Sequence, residues 1–352
     1  MKMNEIEVGH RKISLIQKPF IIAEMSGNHN RSLDRALEIV DAAAKADIDA
    51  VKIQTYTADT LTIDLRINEF LITEKNSLWM GRSLYELYQE ATTPWEWHTR
   101  IFDRCKQLGL LAFSTPFDES AADFLKKCGA PCYKVASFEN CHIPLLRYIA
   151  KTKKPIFLST GMATIDELDE AVEAIRNGGC RDLVLLKCNS SYPATAVGAN
   201  LRTLTDMRKR YQCEVGVSEH TLGIGVALAA IALGASVIEK HFTISRQEGG
   251  IDSAFSMEPN EMKELVLGTE RACQAMGAVF YGASEEEKKS MIFRRSISVV
   301  KDIKMGDVLT PENIRVIRPS LGLKPKYFEV VMGRKAKQNI SRGTPLSWDI
   351  IE

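Results

Sequence analysis

The sequence predicts a (β/α)8 barrel followed by a small β-rich domain, and three observations lead there. Short apolar runs alternate with stretches of helical periodicity along residues 19–276, the order of a parallel α/β fold. Eight such runs occur over the length of about 250 residues that a closed barrel takes, with a doubly wound open sheet as the weaker choice. After residue 276 the alternation stops, and short strand-like pieces follow a charged run.

The predicted strands, in order, are PFIIAEM (19–25), DAVKIQT (49–55), LLAFST (110–115), CYKVAS (132–137), PIFLST (155–160), DLVLLKC (182–188), EVGVSE (214–219) and ASVIEKH (235–241). Between them lie amphipathic stretches such as RALEIVDAAAKA, DELDEAVEAIRN and VALAAIALG, with apolar residues at helical spacing. The second crossover is long: residues 55–93 precede a helix expected near Pro94, and they carry Trp79, Tyr85 and Tyr88 among charges. Such a segment reads as a lid or binding loop on the functional face. At the C-terminal end, SEEEKK at 284–289 reads as a linker, and RRSISVVKDI, VIRPS and RKAKQNI read as strand pieces with turns at Met305-Gly306-Asp307 and Arg342-Gly343. The expected organisation is a barrel over 1–283, a linker over 284–292 and a β-rich domain over 293–352.

Composition narrows the function. Of 352 residues, 45% are hydrophobic and 26% charged, enough for a full core, and a net charge of +1 leaves no global field for nucleic acid or an anionic membrane. The N-terminal MKMNEIEVGHRK lacks the apolar segment of a signal peptide, and no run of about eighteen apolar residues could span a bilayer. A cytoplasmic protein is expected. The eight cysteines are scattered, and Cys128 and Cys132 lack the second pair that a zinc site needs, so reduced thiols are expected.

Barrel chemistry sits where strands end and βα loops begin. The first predicted strand ends at Glu24, the second carries Lys52 and Gln54, and the third Ser114 and Thr115. The fourth carries Lys134 and Ser137, the fifth Ser159 and Thr160, the sixth Lys187 and Asn189. The seventh closes on Ser218, Glu219 and His220 and the eighth on Glu239 and His241. Thr115 and Thr160, taken alone, read as helix caps. Lys52, Lys134 and Lys187 lie in or beside apolar runs, where a lysine needs an anion; three of them suit a multiply charged ligand such as a phosphorylated carboxylate. His220 and His241 close consecutive strands, and two imidazoles with open positions suit Mn²⁺, Co²⁺ or Mg²⁺. His29 is a weaker candidate for substrate or metal contact, His98 reads as structural and His10 as solvent-exposed. A Schiff-base aldolase using a barrel lysine, or a non-enzymatic carbohydrate-binding protein, would fit part of this pattern.

The motifs IIAEMSGNH, AVKIQTYT, FSTPFD, YKVASFE, LSTGMAT, LLKCNSSYPA, GVSEHTLG and VIEKHF, in this order, resemble those of the sialic acid synthase family. VKDIKMGDVLTPENIRVIRPSLGL resembles that family's antifreeze-like (SAF) domain. The resemblance implies a TIM barrel that condenses phosphoenolpyruvate with an N-acetylated aminosugar. It implies His220 and His241 as metal ligands, and Lys52, Lys134, Ser137, Ser159, Lys187, Asn189 and Ser218 as phosphoenolpyruvate contacts with Gln54 and Tyr192 nearby. It also implies Glu24 and Asp252 as acidic groups on the sugar side. Arg318 matches the arginine that reaches a partner's active site, which implies a domain-swapped homodimer. LYELYQEATTPWEWH, IRPSLGLKPKYFE and IDSAFSMEP are similar to the pseudaminic acid synthase branch; Ser253 after Asp252 and Ser320 after Arg318-Pro319 depart from the N-acetylneuraminate and legionaminate branches. Use in flagellin or other glycan modification follows from that branch by analogy.

Overall fold

The computed structural model describes residues 5–75 and 77–352. It opens with an antiparallel hairpin of β1 (Ile6–Val8) and β2 (Arg11–Ile13), turned through Gly9 at φ +57°. A side chain at Gly9 would start 2.5 Å from Leu111 Cδ2, so the turn needs both the left-handed backbone and the missing Cβ. Eight parallel strands follow: β3 (Phe20–Glu24), β4 (Ala50–Thr55), β5 (Leu111–Pro116), β6 (Tyr133–Val135), β7 (Ile156–Ser159), β8 (Leu183–Cys188), β9 (Glu214–Ser218) and β10 (Val237–His241). Each pairs with the next, and β10 returns to β3 to close the barrel. The predicted (β/α)8 fold is therefore the observed one. Besides two helices of the inserted segment after β4, eight helices from Leu33–Lys45 to Pro259–Met276, one after each strand, cross between or follow these strands among the described residues. Their starts are fixed locally: Ser32 accepts from Arg35 N, Asp118 from Ala121 N, and Thr164 forms a capping box with Glu167.

Period-two alternation divides the apolar residues into two layers. Ile21, Ala23, Val51, Ile53, Leu183, Leu185, Val215, Val217 and Ile238 face outward and pack against helix residues such as Ile39, Leu146 and Ile175. Phe20, Ile22, Leu111, Phe113, Phe157, Val184, Leu186 and Val237 face inward, joined by Ile6, Val8 and Ile13 of the hairpin. Phe157 stacks against Phe20 at 6.1 Å and Phe113 at 5.6 Å. Arg11 pairs with Asp49 at 2.6 Å and holds the hairpin across the N-terminal end of the barrel. The apolar plug fills one half of the interior, so the polar residues farther along the same inward rows line the other half, at the mouth.

The inserted segment after β4 contains Ala58–Leu61, Asn68–Phe70 and the helix Leu84–Ala91, started by a Ser83–Glu86 capping box. The chain forms two compact units, 1–277 and 278–352. In the second, Ser284 caps a helical turn at Glu285–Lys288 within the expected linker. β11 (Ser296–Val299) and β12 (Ile314–Ile317) then pair antiparallel over a core of Ile297, Val299, Leu309, Ile314 and Leu346. No helix among the described residues is long and apolar enough to cross a membrane, and the eight cysteines are free thiols.

Candidate active site

Inward-facing residues from seven strands meet above the plug. Lys52 of β4 forms an ion pair with Glu24 of β3, lies 3.7 Å from Glu239 Oε1 of β10, and donates to Thr115 Oγ1 of β5 at 3.3 Å. Lys134 of β6 donates to Ser159 Oγ of β7 at 2.7 Å and stands 3.8 Å from Glu239 Oε1. Ser218 of β9 donates to the same Glu239 oxygen at 2.9 Å. Gln54 donates to Glu24 Oε1 at 3.0 Å and to Ser26 Oγ at 3.2 Å, and Ser26 in turn donates to Asp252. All these groups except Gln54 are buried.

Two cations and two carboxylates so close together settle each other's charge. Burial alone would raise Glu239, but attraction from Lys134 and Lys52 holds it below the usual carboxylate range. Burial opposes the charge on Lys52 too, and Glu239 and Glu24 outweigh it, leaving its pKa raised. Lys134 has fewer anionic neighbours, so burial prevails and its pKa is lowered. Burial also raises Glu24, despite Lys52, and pushes Asp252 up to about 6 and Glu139 up to about 7. The mouth thus offers a well-paired ammonium, a second one short of anionic partners, and carboxyls able to carry a proton near neutrality.

Beside this layer the imidazoles of His220 and His241 lie 5.2 Å apart, centroid to centroid. His220 Nδ1 lies 2.9 Å from the Asn189 carbonyl, which can only accept; Nδ1 therefore carries the proton and Nε2 keeps a lone pair. Burial pushes the pKa of His220 down to about 4 and that of His241 well below the ordinary histidine value, so both rings are neutral. His241 Nδ1 is buried without a hydrogen bond, 3.8 Å from Asp252 Oδ2. Neutral imidazoles with free nitrogens fit a divalent ion. Among the described residues no group of three or more His, Cys, Asp or Glu gathers as a metal site, so the fit is to a centre completed by water and substrate. Tyr192 packs on His220 at 4.3 Å, and Phe255 closes over both rings at 5.0–6.0 Å.

Most of the residues singled out from the sequence converge here, with exceptions. Lys187 shares the outward phase of Leu183 and Leu185 on β8, and its ammonium donates to the Cys188 carbonyl at 2.9 Å rather than joining the Lys52–Lys134 layer. The expected trio of lysines is a pair. Asn189 contributes its carbonyl to His220, while its side chain accepts from Ser191 N. Thr115 and Thr160 do not cap helices: Thr115 accepts from Lys52, Thr160 donates to Leu186 O, and Asp118 and Thr164 cap instead. His29 is buried between Arg31 N and Thr93 as a structural residue, as His98 is between Thr55 and Pro94. Arg318 lies just after β12 in the second unit, exposed and without a hydrogen-bond or ion-pair partner among the described residues.

The sequence places Glu239 at the end of the eighth strand without giving it a role, and it gives Ser26 and Gly161 none. Glu239 was visible, because it shares the phase of His241 in VIEKH. Gly161 follows β7, where a Cβ would stand 2.6 Å from Ser137 Oγ and 2.3 Å from Ser190 Oγ. Its amide donates to Ser137 Oγ at 3.1 Å, so only glycine lets these hydroxyls approach.

A closed parallel barrel whose strand ends bring together buried lysines, carboxylates and neutral imidazoles has the organisation of a barrel enzyme. Comparison with known proteins gives the family. The chain belongs to the NeuB family, whose model matches residues 39–281, and a SAF domain model matches residues 294–352. It is 42% identical to pseudaminic acid synthase of Campylobacter jejuni over 94% of this chain and 96% of that one. It is 40% identical to pseudaminic acid synthase of Helicobacter pylori over 96% and 99%. A solved N-acetylneuraminic acid (sialic acid) synthetase of Leptospira borgpetersenii is 32% identical, with a TM-score of 0.73 over 82% of this chain and 95% of that one. Like these synthases, this protein is a carbon–carbon bond-forming enzyme of the transferase type.

Proposed function

We propose that the enzyme condenses phosphoenolpyruvate with 2,4-diacetamido-2,4,6-trideoxy-L-altrose to give pseudaminic acid and phosphate. The observation that supports this best is the shared mouth of the Lys52–Lys134 layer and the His220–His241 pair, since the reaction needs a site for a phosphorylated carboxylate beside one that polarises an aldehyde. The relatives named pseudaminic acid synthase favour the diacetamido sugar over N-acetylmannosamine.

In this reading Lys52 and Lys134 hold the phosphate and carboxylate, with Ser137, Ser159 and Ser218 fixing their orientation. C3 of phosphoenolpyruvate forms a bond to the aldehyde carbon of the open-chain sugar, and its enol electron pair leaves C2 electron-poor. Water adds at C2, and the C2–O bond of the tetrahedral phosphate then breaks, releasing phosphate and leaving the ketone. A divalent ion, held by His220 and His241, would supply Lewis-acid polarisation of the aldehyde oxygen. Asp252 and Glu24, both raised by burial, are suited to hold the proton delivered to the sugar oxygen or taken from the water.

The test is phosphate release from phosphoenolpyruvate with the altrose derivative or N-acetylmannosamine, in Mn²⁺ with and without chelator. Turnover with the altrose derivative, lost on chelation, is expected. Turnover with N-acetylmannosamine alone would keep the family and reject this substrate. Activity that survives thorough chelation would reject the ion.

A further inference from the structure

A cleft of about 750 Å³ opens beside the mouth, bounded by Gly27, Leu78, Trp79, Arg82, Ile251 and Ala254. Three contacts join it to the site. Trp79 lies 6.1 Å from Tyr192, the ring that packs on His220, so aromatic faces run from the imidazoles to the cleft. Trp79 Nε1 donates to Ile251 O at 3.1 Å, next to Asp252. Gly27 on the cleft wall follows Ser26, which bridges Gln54 and Asp252.

The character of this cleft differs from that of the mouth. The cleft's far side is polar and of mixed charge, with Arg31, Gln89, an Arg82–Glu90 pair and Glu86 held by Arg66. It has no excess of cations, whereas in the mouth Lys134 keeps an ammonium short of partners. The half-buried indole of Trp79, with Leu78, Ile251 and Ala254, makes an apolar wall. An anion belongs on the lysines; a neutral ligand with amides and hydroxyls for the mixed polar side and methyl groups for the Trp79 wall suits the cleft. A diacetamido-trideoxy sugar has that make-up, with two acetamido methyls and a C6 methyl where N-acetylmannosamine has hydroxyls and a single acetamido group.

We propose that Trp79 is a specificity-determining residue: its indole face receives the acetamido- and methyl-bearing end of the sugar while the aldehyde end points to His220 and His241. The inference rests on the substrate proposed above. It is tested on the full chain by steady-state kinetics of the wild type, Trp79→Ala and Trp79→Phe with both sugars and with phosphoenolpyruvate. Trp79→Ala should raise KM for the altrose derivative by about 10-fold or more, the usual worth of an apolar specificity contact, and narrow the preference over N-acetylmannosamine. KM for phosphoenolpyruvate should stay within about twofold. Trp79→Phe keeps a ring and loses the bond to Ile251 O, so it should restore most of the affinity. If Trp79 only braced the Asp252 loop, phenylalanine would not rescue and both substrates would suffer together, which would overturn the proposal. Altrose turnover with an unchanged KM in Trp79→Ala would also overturn it. Wild-type turnover of N-acetylmannosamine alone would instead overturn the substrate reading, and this inference with it.

Discussion

Lys134 is buried, yet its nearest carboxylate oxygen is 3.8 Å away, and one of its hydrogen bonds goes to a hydroxyl at 2.7 Å. Holding a charge there costs free energy until an anion arrives, which is how a site reserves a cation for its ligand. Lys52, with Glu24 and Glu239 beside it, is less available and holds the carboxylates in place. Lys187 has no part in this arrangement. Lys134→Met should therefore lower kcat/KM for phosphoenolpyruvate by roughly 100-fold, the worth of a charged hydrogen bond, while Lys187→Met stays within about threefold. Steady-state phosphate release on both variants decides it, and equal losses would return Lys187 to the site.

At the level of elements, β9 and β10 present opposite faces to different tasks. Ser218, Glu239 and His241 point into the mouth, while Lys240 points outward and pairs with Glu219 at 2.7 Å, also donating to Thr221 O at 2.6 Å and Gly223 O at 3.1 Å. Glu219 accepts in turn from Thr221 N at 2.9 Å. This outer clamp ties the loop after β9 to β10, beside both histidines. Lys240→Met would strand a buried carboxylate and should destabilise the protein by about 3–5 kcal/mol, and Glu219→Gln in the same chain should recover part of that loss. Urea unfolding of the single and double variants measures the coupling; additive losses would refute the clamp. The outer clamp also marks how far the sequence could be read. Strand identity was legible because eight apolar runs met eight helical patterns, and VIEKH shows its phase, one charged residue outward between two inward. LVLLKC does not, since a strand buried on both faces is apolar throughout and period two leaves its phase open. That is why Lys187 could be taken for an inward lysine. Contacts such as Ser26 with Asp252, 226 residues apart, have no local signature.

Over the whole molecule, the six histidines all lie in the first unit, and 278–352 contains none. Two of them, His29 and His98, are fully buried away from the imidazole pair, and burial pushes both pKa values down to about 4, against an ordinary value of 6.5. A depressed histidine pKa means that the unfolded chain binds the proton first. Its contribution is present above pH 6.5, falls as pH drops, and is gone below about 4. In that window each can add a slope approaching 1.4 kcal/mol per pH unit, or about 2 kcal/mol lost per histidine by pH 5. That is a large share of a typical stability of about 5–15 kcal/mol. The first unit should therefore unfold at lower urea at pH 5 than at pH 7, followed by tryptophan fluorescence in a Trp348→Phe background, which leaves Trp79 and the pair Trp95 and Trp97 just before the His98 helix. His98→Gln removes one titrating group while leaving an amide able to reach Thr55. It should lower stability at pH 7, where the neutral imidazole fits its partners, and flatten the loss between pH 7 and 5 by about one proton's worth. An unchanged slope in His98→Gln would mean that His98 does not stay neutral in the fold, and that acid sensitivity arises from other groups.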